Sequence, residues 1–175
     1  MVFALYPKNK EENETGAYTG GVVIMFRGEY RFLSNFYPCD VTLPAEAFLP
    51  EMKFNSVENA YVAAKTLDLE MRKHIATLTA GEAKKLGHEE IFPLRHDYSD
   101  ERRLNTMRVL VEQKFSTKNP ELRQKLLDTK DATLVEGNTW EDDFYGVNLT
   151  TGSGKNHLGQ ILMQVRAKIR IDEDL

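Results

Sequence analysis

The sequence predicts a helix-rich α+β domain on three observations. Buried or amphipathic helical patterns fill most of the chain after Ser56. The few strand-like runs lie near the N-terminus and around residue 140. Helix and strand do not alternate as a doubly wound sheet requires. The 175 residues are 41% hydrophobic and 29% charged, enough for one substantial core and few for two. One domain over 21–175 is therefore expected, preceded by an N-terminal arm or loop over 1–20, whose stretch PKNKEENETGAYTG is polar and turn-rich.

In chain order, the apolar run GVVIMF predicts a buried strand around Val22 to Phe26. The segment RGEYRFLSNFYP that follows is too irregular for an amphipathic helix. SVENAYVAAKTL then has Ser56 as an N-cap and apolar residues on nearly every side, which predicts an internal helix. Two short helices follow: DLEMRKHIATL, then TAGEAKKLG, where Thr79 and Glu82 have capping-box spacing and Gly87 is placed to end the helix in a left-handed conformation. Beyond a Pro-containing loop to Tyr98, Ser99 or Asp100 caps a helix with Leu104, Met107, Leu110, Val111 and Phe115 at helical spacing. Asn119 and Pro120 open another, carrying Leu122, Leu126 and Leu127. ATLVE and FYGVNL read as short strands flanking the acidic-aromatic stretch EGNTWEDDFYG (136–146). HLGQILMQVRAKI, with Leu158, Ile161, Leu162, Val165 and Ile169 on one stripe, is an amphipathic closing helix.

Composition excludes several classes. A net charge of −4 argues against gripping nucleic acid through broad phosphate neutralisation, and leaves room for an enzyme that handles one nucleotide or one modified base. Cys39 is the only cysteine, so an internal disulfide is excluded and a reducing compartment, the cytoplasm, is expected. The N-terminal stretch MVFALYPKNKEENE reads as neither signal peptide nor membrane span. The four histidines show no ligand spacing with one another or with Cys39, and neither metal nor cofactor is called for.

The candidate chemistry starts with Glu58. One turn into a largely apolar helix, its carboxylate must reach a cleft or find a partner; complementing the helix dipole is the equally good alternative. Lys65 lies seven residues on, at nearly the same angle and about 10.5 Å along the axis, a gap suited to a sugar phosphate. Ser34 and Asn35, between aromatic neighbours, suit a ligand hydroxyl or phosphate with Phe36 packed or stacked beside it; an ordinary turn also explains them. TTGSGKNHLG puts flexible backbone, with Lys155 and Asn156, ahead of a helix N-terminus, a natural anion site, although it is not a Walker motif and a capped Gly-rich turn fits equally. Asp142 stands beside Trp140, Phe144 and Tyr145, either as a carboxylate against aromatic walls or as part of a β-turn with the aromatics in the core.

Taken together, FRGEYRFLSNFYP (26–38), SVENAYVAAK (56–65), AKKLG (83–87), Met107 through Lys114 and Phe115, LLDT (126–129), EGNTWEDDFYG (136–146) and GKNHLGQILMQVR (154–166) resemble the NADAR family, which includes riboflavin-biosynthesis-intermediate N-glycosidases. Tyr145 stands where the family usually has Trp, and Asp97-Tyr98 where Asp-Trp is common; both keep an aromatic ring. The resemblance implies hydrolysis of the bond between ribose and a base or amine nitrogen, first in ADP-ribosylated guanine, alternatively in phosphoribosylamino riboflavin precursors. A binding module that holds ADP-ribose without cleaving it is the rival of another class. The implied partners are ADP-ribose or a phosphoribosyl-type ligand, and ADP-ribosylated DNA or RNA. By position, Glu58 and Asp142 match the family's acidic residues, Lys65 its helix lysine, and Ser34 and Asn35 its LSNF motif. Glu58 is expected to serve the water or the anomeric carbon, Asp142 proton transfer or ribose hydroxyls, and Lys65 the phosphate or, as a nucleophile, a Schiff base. Arg27 and Gly28 join the binding set, Lys155 and Asn156 are expected at phosphate, and Trp140, Tyr98 and Tyr145 in stacking. Glu58 and Asp142 are expected to converge on one ribose-sized cavity.

Overall fold

The computed structural model describes residues 17–18 and 21–175 and has the expected helix-rich α+β architecture. Of the expected arm, all but strand β1 (Ala17–Tyr18) lies outside the described residues. The chain forms two compact units, Asn35–Arg123 and, together with the described residues up to and including Ser34, Gln124–Leu175.

In the Asn35–Arg123 unit, antiparallel strands β3 (Pro38–Leu43) and β4 (Met52–Ser56) form a hairpin. Helix α1 (Val57–Ala64) packs on this hairpin and on α2 (Leu69–Thr77), α3 (Ala80–Leu86) and α4 (Asp100–Lys114). Every residue from Val57 to Ala63 is buried, the outcome that an all-round apolar pattern predicts. The hairpin is an addition to the sequence reading. Its signal was the alternation of Cys39, Val41 and Leu43, all buried, with the exposed Pro38 and Asp40 and the half-buried Thr42, a period of two over a short run. Helix α3 has the predicted Thr79–Glu82 capping box. Its end differs from expectation, because Gly87 is right-handed (φ −67°). A Cβ there would sit 2.9 Å from Val62, so close packing against α1 requires the glycine.

In the other unit, β2 (Val22–Val23) pairs antiparallel with β1 and parallel with β5 (Thr133–Leu134). The strand expected to run to Phe26 stops at Val23. Ile24, Met25 and Phe26 are buried, but the chain bends there toward a 3₁₀ helix over Gly28–Leu33. Helix α5 (Pro120–Asp128) links the two units in sequence. Strands β6 (Gly137–Asn138) and β7 (Val147–Asn148) pair in parallel, and α6 (His157–Asp172) lies on β5. The stripe Leu158, Ile161, Leu162, Val165 and Ile169 is buried as predicted; at about 1.5–3 kcal/mol per buried aliphatic side chain it anchors the helix. Among the described residues no helix is long and apolar enough to cross a membrane.

Candidate active site

Helix α1 is fixed at both ends, and that fixes Glu58 and Lys65. At its start Ser56 accepts from the Asn59 N–H (3.0 Å), and the Glu58 N–H donates to the Asn35 carbonyl (3.0 Å), so two of the helix's orphan donors are satisfied. The fully buried Asn59 amide donates to the carbonyls of Ile75 (3.0 Å) and Leu78 (2.8 Å), which ties α1 to the end of α2. At the other end arginines take the orphan carbonyls: Arg95 donates to Lys65 through its backbone N–H (2.8 Å) and to Ala64 through its guanidinium (3.2 Å), and Arg72 donates to Thr66 (2.9 Å). Glu46 holds both arginines (2.6 Å to Arg95, 3.4 Å to Arg72), and Asp97 pairs with Arg95 and Arg102. Both termini of the helix that carries the candidate pair are thus locked by polar contacts.

Glu58 is 9% exposed, and Lys65, half-buried, caps the end of α1. Burial pushes the Lys65 ammonium below its ordinary pKa; Glu58 pulls it back up, and Arg103 and Lys84 push it further down. The two groups therefore share one electrostatic environment, as their spacing predicted. The Lys65 ammonium lies 5.2 Å from the centre of the Tyr61 ring. Tyr61 is a residue that sequence reading passed over, yet the signal was present: three after Glu58 and four before Lys65, it lies on the same helix face. Arg103 and Lys84 sit on other helices, and no spacing connects them to Lys65.

The other candidates of this unit lie around α1. Asn35 is buried and donates to the Met107 sulfur (3.4 Å). Phe36 is 39% exposed, with the Lys84 ammonium 5.7 Å from its ring centre. Tyr98 shares a hydroxyl contact with Tyr61 (3.3 Å); burial, then Tyr61, holds its phenol well above the ordinary range.

The second unit organises EGNTWEDDFYG around the buried Asn138. Its oxygen accepts from the N–H groups of Trp140 and Asp142 (3.2 Å each), and its nitrogen donates to the Asp142 carbonyl (2.7 Å). Asp142 Oδ1 in turn accepts from the N–H groups of Phe144 (3.2 Å) and Tyr145 (3.0 Å), an Asx-type turn. Tyr145 is buried, edge-on to Phe144, whereas Trp140 is 53% exposed. Gly146 is required by close approach: a Cβ there would meet the Glu136 carbonyl at 2.4 Å.

The start of α6 differs from an open anion site. The N–H groups of Lys155, Asn156, His157 and Leu158 donate to the carbonyls of Asp143, Gly146, Phe144 and Tyr145 at 2.7–3.3 Å, so the turn occupies donors that an anion would use. Asn156 is left-handed (φ 51°) and makes no side-chain cap; its amide accepts from the Glu136 N–H (3.0 Å) and donates to the Leu134 carbonyl (2.9 Å). Lys155 is exposed, 5.4 Å from the Phe144 ring centre. Both residues line a mainly apolar cavity of about 270 Å³ with Val22, Ile24, Val135 and Leu149. Arg27 and Gly28 are exposed at the start of the 3₁₀ helix, and Ser34 is its C-cap.

A buried helix carrying a carboxylate and a desolvated lysine amid further cations is a candidate functional site on physical grounds. Comparison with known proteins gives the class. The NADAR domain matches residues 25–170, and the chain belongs to the NADAR family. It is 35% identical over 140 residues to a riboflavin biosynthesis protein of Vibrio vulnificus (strain YJ016), covering 79% of this chain and about a third (35%) of that longer protein. It is 34% identical over 145 residues to an N-glycosidase of Nostoc punctiforme (81% of this chain, 86% of that one) and 33% identical over 117 residues to the N-glycosidase YbiA of Escherichia coli K12 (66% and 71%). The NMR structure of Escherichia coli YbiA superposes with a TM-score of 0.71 at 27% identity, covering 90% of each chain.

Proposed function

We propose that the chain hydrolyses the ribose–nitrogen bond of ADP-ribosylated guanine. The coarser class rests on its family: relatives at 33–34% identity are named N-glycosidases, and the chain is a hydrolase of N-glycosyl bonds. The observation that carries the mechanism is the Glu58–Lys65 pair on one buried helix.

Cleavage of an N-glycosidic bond builds positive charge on the anomeric carbon. A nearly buried carboxylate stabilises that charge far better than one in water, and it also accepts a proton from an attacking water; Glu58 has this role. Lys65, held below its ordinary pKa, is neutral in a larger fraction of molecules than an exposed lysine, as a nucleophile requires. In that variant the amine bonds the anomeric carbon, the base leaves with a proton, the ring oxygen is released as a hydroxyl, and water hydrolyses the resulting imine. Asp142 keeps its part in the proposal as the group for proton transfer or ribose hydroxyls. Its carboxylate is half-buried, with one oxygen held by two N–H groups.

A second reading has one observation in its favour: the similarity to a riboflavin biosynthesis protein supports a phosphoribosylamino precursor as substrate. Incubation with ADP-ribosylated DNA and, separately, with such a precursor, followed by assay of free ADP-ribose and free base, decides. Release from the DNA substrate is expected. Release from the precursor alone replaces the first reading with the second. Release from neither, with ADP-ribose still bound, makes the protein a binding module. Borohydride under turnover tests Lys65, for which a covalent adduct is expected; its absence limits Lys65 to an electrostatic role.

A further inference from the structure

Lys65 is seated by its own helix. It is the C-cap of α1 and keeps right-handed helical geometry there (φ −72°, ψ −12°), so its side chain leans back toward the helix start, over the residue one turn earlier. That residue is Tyr61, and the Lys65 ammonium stands 5.2 Å from the centre of its ring. The ring itself is held. Tyr61 is 6% exposed, its hydroxyl meets that of Tyr98 at 3.3 Å, and the same oxygen accepts from Arg103 Nε at 3.4 Å. Tyr98 in turn has the Arg103 guanidinium 5.8 Å from its ring centre. Burial and polar contacts from other segments therefore fix the plane of a ring on which a long, rotatable side chain settles, and this lowers the entropy cost of holding its amine in one place.

The contact discriminates between the two forms of lysine. A ring face attracts the ammonium through its quadrupole and has no such hold on the neutral amine, and the attraction is strongest where water is excluded. Burial disfavours the Lys65 ammonium, Glu58 on α1 favours it, and Arg103 on α4 and Lys84 on α3 disfavour it. Tyr98 and Arg102 also stand beside Lys65, around a recess of about 10 Å³ with room for one water. We propose that Tyr61 is the positioning residue of the site, its ring face holding the resting Lys65 ammonium on the side of α1 shared with Glu58 and releasing the amine once it is neutral. The role rests on the reading above of Lys65 as a nucleophile, whereas the seat itself does not.

The seat is tested without turnover. Competitive acetylation with acetic anhydride over a pH series, read by mass spectrometry at Lys65, gives the pH at which its amine loses its proton in the folded protein. Tyr61→Phe keeps the ring face and is expected to titrate as the wild type does. Tyr61→Leu removes the face, and pentafluorophenylalanine placed at 61 keeps the shape while reversing the charge of the face, so both are expected to lower the Lys65 midpoint by about half a pH unit or more. A midpoint that pentafluorophenylalanine leaves unmoved overturns the proposal, even where the Leu variant fails to fold. In kinetics, the acid limb of kcat/KM, which follows loss of the Lys65 proton, is expected to move to lower pH with pentafluorophenylalanine while the plateau above it falls severalfold, and Tyr61→Phe recovers most of both. A plateau that falls with the limb unmoved marks Tyr61 as merely structural and overturns the role. A ring-dependent midpoint in a protein that cleaves no N-glycoside removes the earlier reading and keeps the seat.

Discussion

Helix α1 and the acidic-aromatic turn each present a carboxylate singled out by the sequence, and they hold it by opposite means. Glu58 rides on a helix whose backbone is set from outside, by Ser56, Asn35 and the arginine clasp. Asp142 is itself part of the scaffold, its Oδ1 closing the turn on Phe144 and Tyr145. A change at Asp142 therefore mixes chemistry with fold, through the turn that its carboxylate closes.

Four experiments press on this contrast. The largest effect is expected from Glu58→Gln, which keeps the shape and removes the charge: kcat falls about 10²–10⁴-fold with melting temperature and ligand affinity near wild type. Retained turnover would remove Glu58 from the mechanism. Lys65→Met is expected to abolish turnover and to raise the melting temperature. Because Lys65 is held below its ordinary value of 10.5, the unfolded chain binds its proton more tightly than the folded one. The resulting penalty is in full force below the folded pKa and fades as pH rises toward 10.5, so the stabilisation by Met is greatest near neutral pH and shrinks in alkali. A thermal-shift series against pH measures it, and a Met variant less stable than wild type at pH 7 contradicts the sign.

Asp142→Ala is expected to lose about 1–3 kcal/mol of stability through two unsatisfied N–H groups, while Asp142→Asn, which keeps an acceptor oxygen, loses much less. Chemical denaturation compares the two; if the Asn variant is as stable as wild type and inactive, Asp142 has a chemical role beyond the turn. The smallest effect is expected at the clasp. Hydrogen bonding from Arg95 holds the Glu46 carboxyl below its ordinary value of 4.5. Its stabilisation is complete above that value and lost as pH falls through the folded pKa, so Glu46→Gln flattens the acid limb of the stability profile. An unchanged limb would assign the acid sensitivity to other carboxylates.

The local rules of capping and periodicity made much of the fold legible. Ser56, Thr79 and Ser99 all act as N-caps, and the stripe of α6 is buried residue by residue. The β3–β4 hairpin escaped because three alternating apolar residues are a short signal, and the Val22 strand ended early because its apolar run continues into a buried bend. In the site, Glu58 and Lys65 were readable because seven residues bring a helix back to nearly the same face. Arg103, Lys84 and the Arg95 clasp were not, because they reach α1 from other segments, and only tertiary structure sets that proximity. Asn156 shows the converse: its composition suited an anion, but its amide joins the backbone at Leu134 and Glu136.

The pairing of 155–158 with 143–146 has a practical consequence. It clamps the base of the excursion from Val147 to Gly154, where a Cβ on Gly154 would strike the Gly146 carbonyl at 2.3 Å, while Thr150 and Thr151 at its tip are exposed. A peptide tag or a fluorophore site introduced at that tip hangs from a closed stem, so it offers a handle for labelling that leaves the turn below it undisturbed.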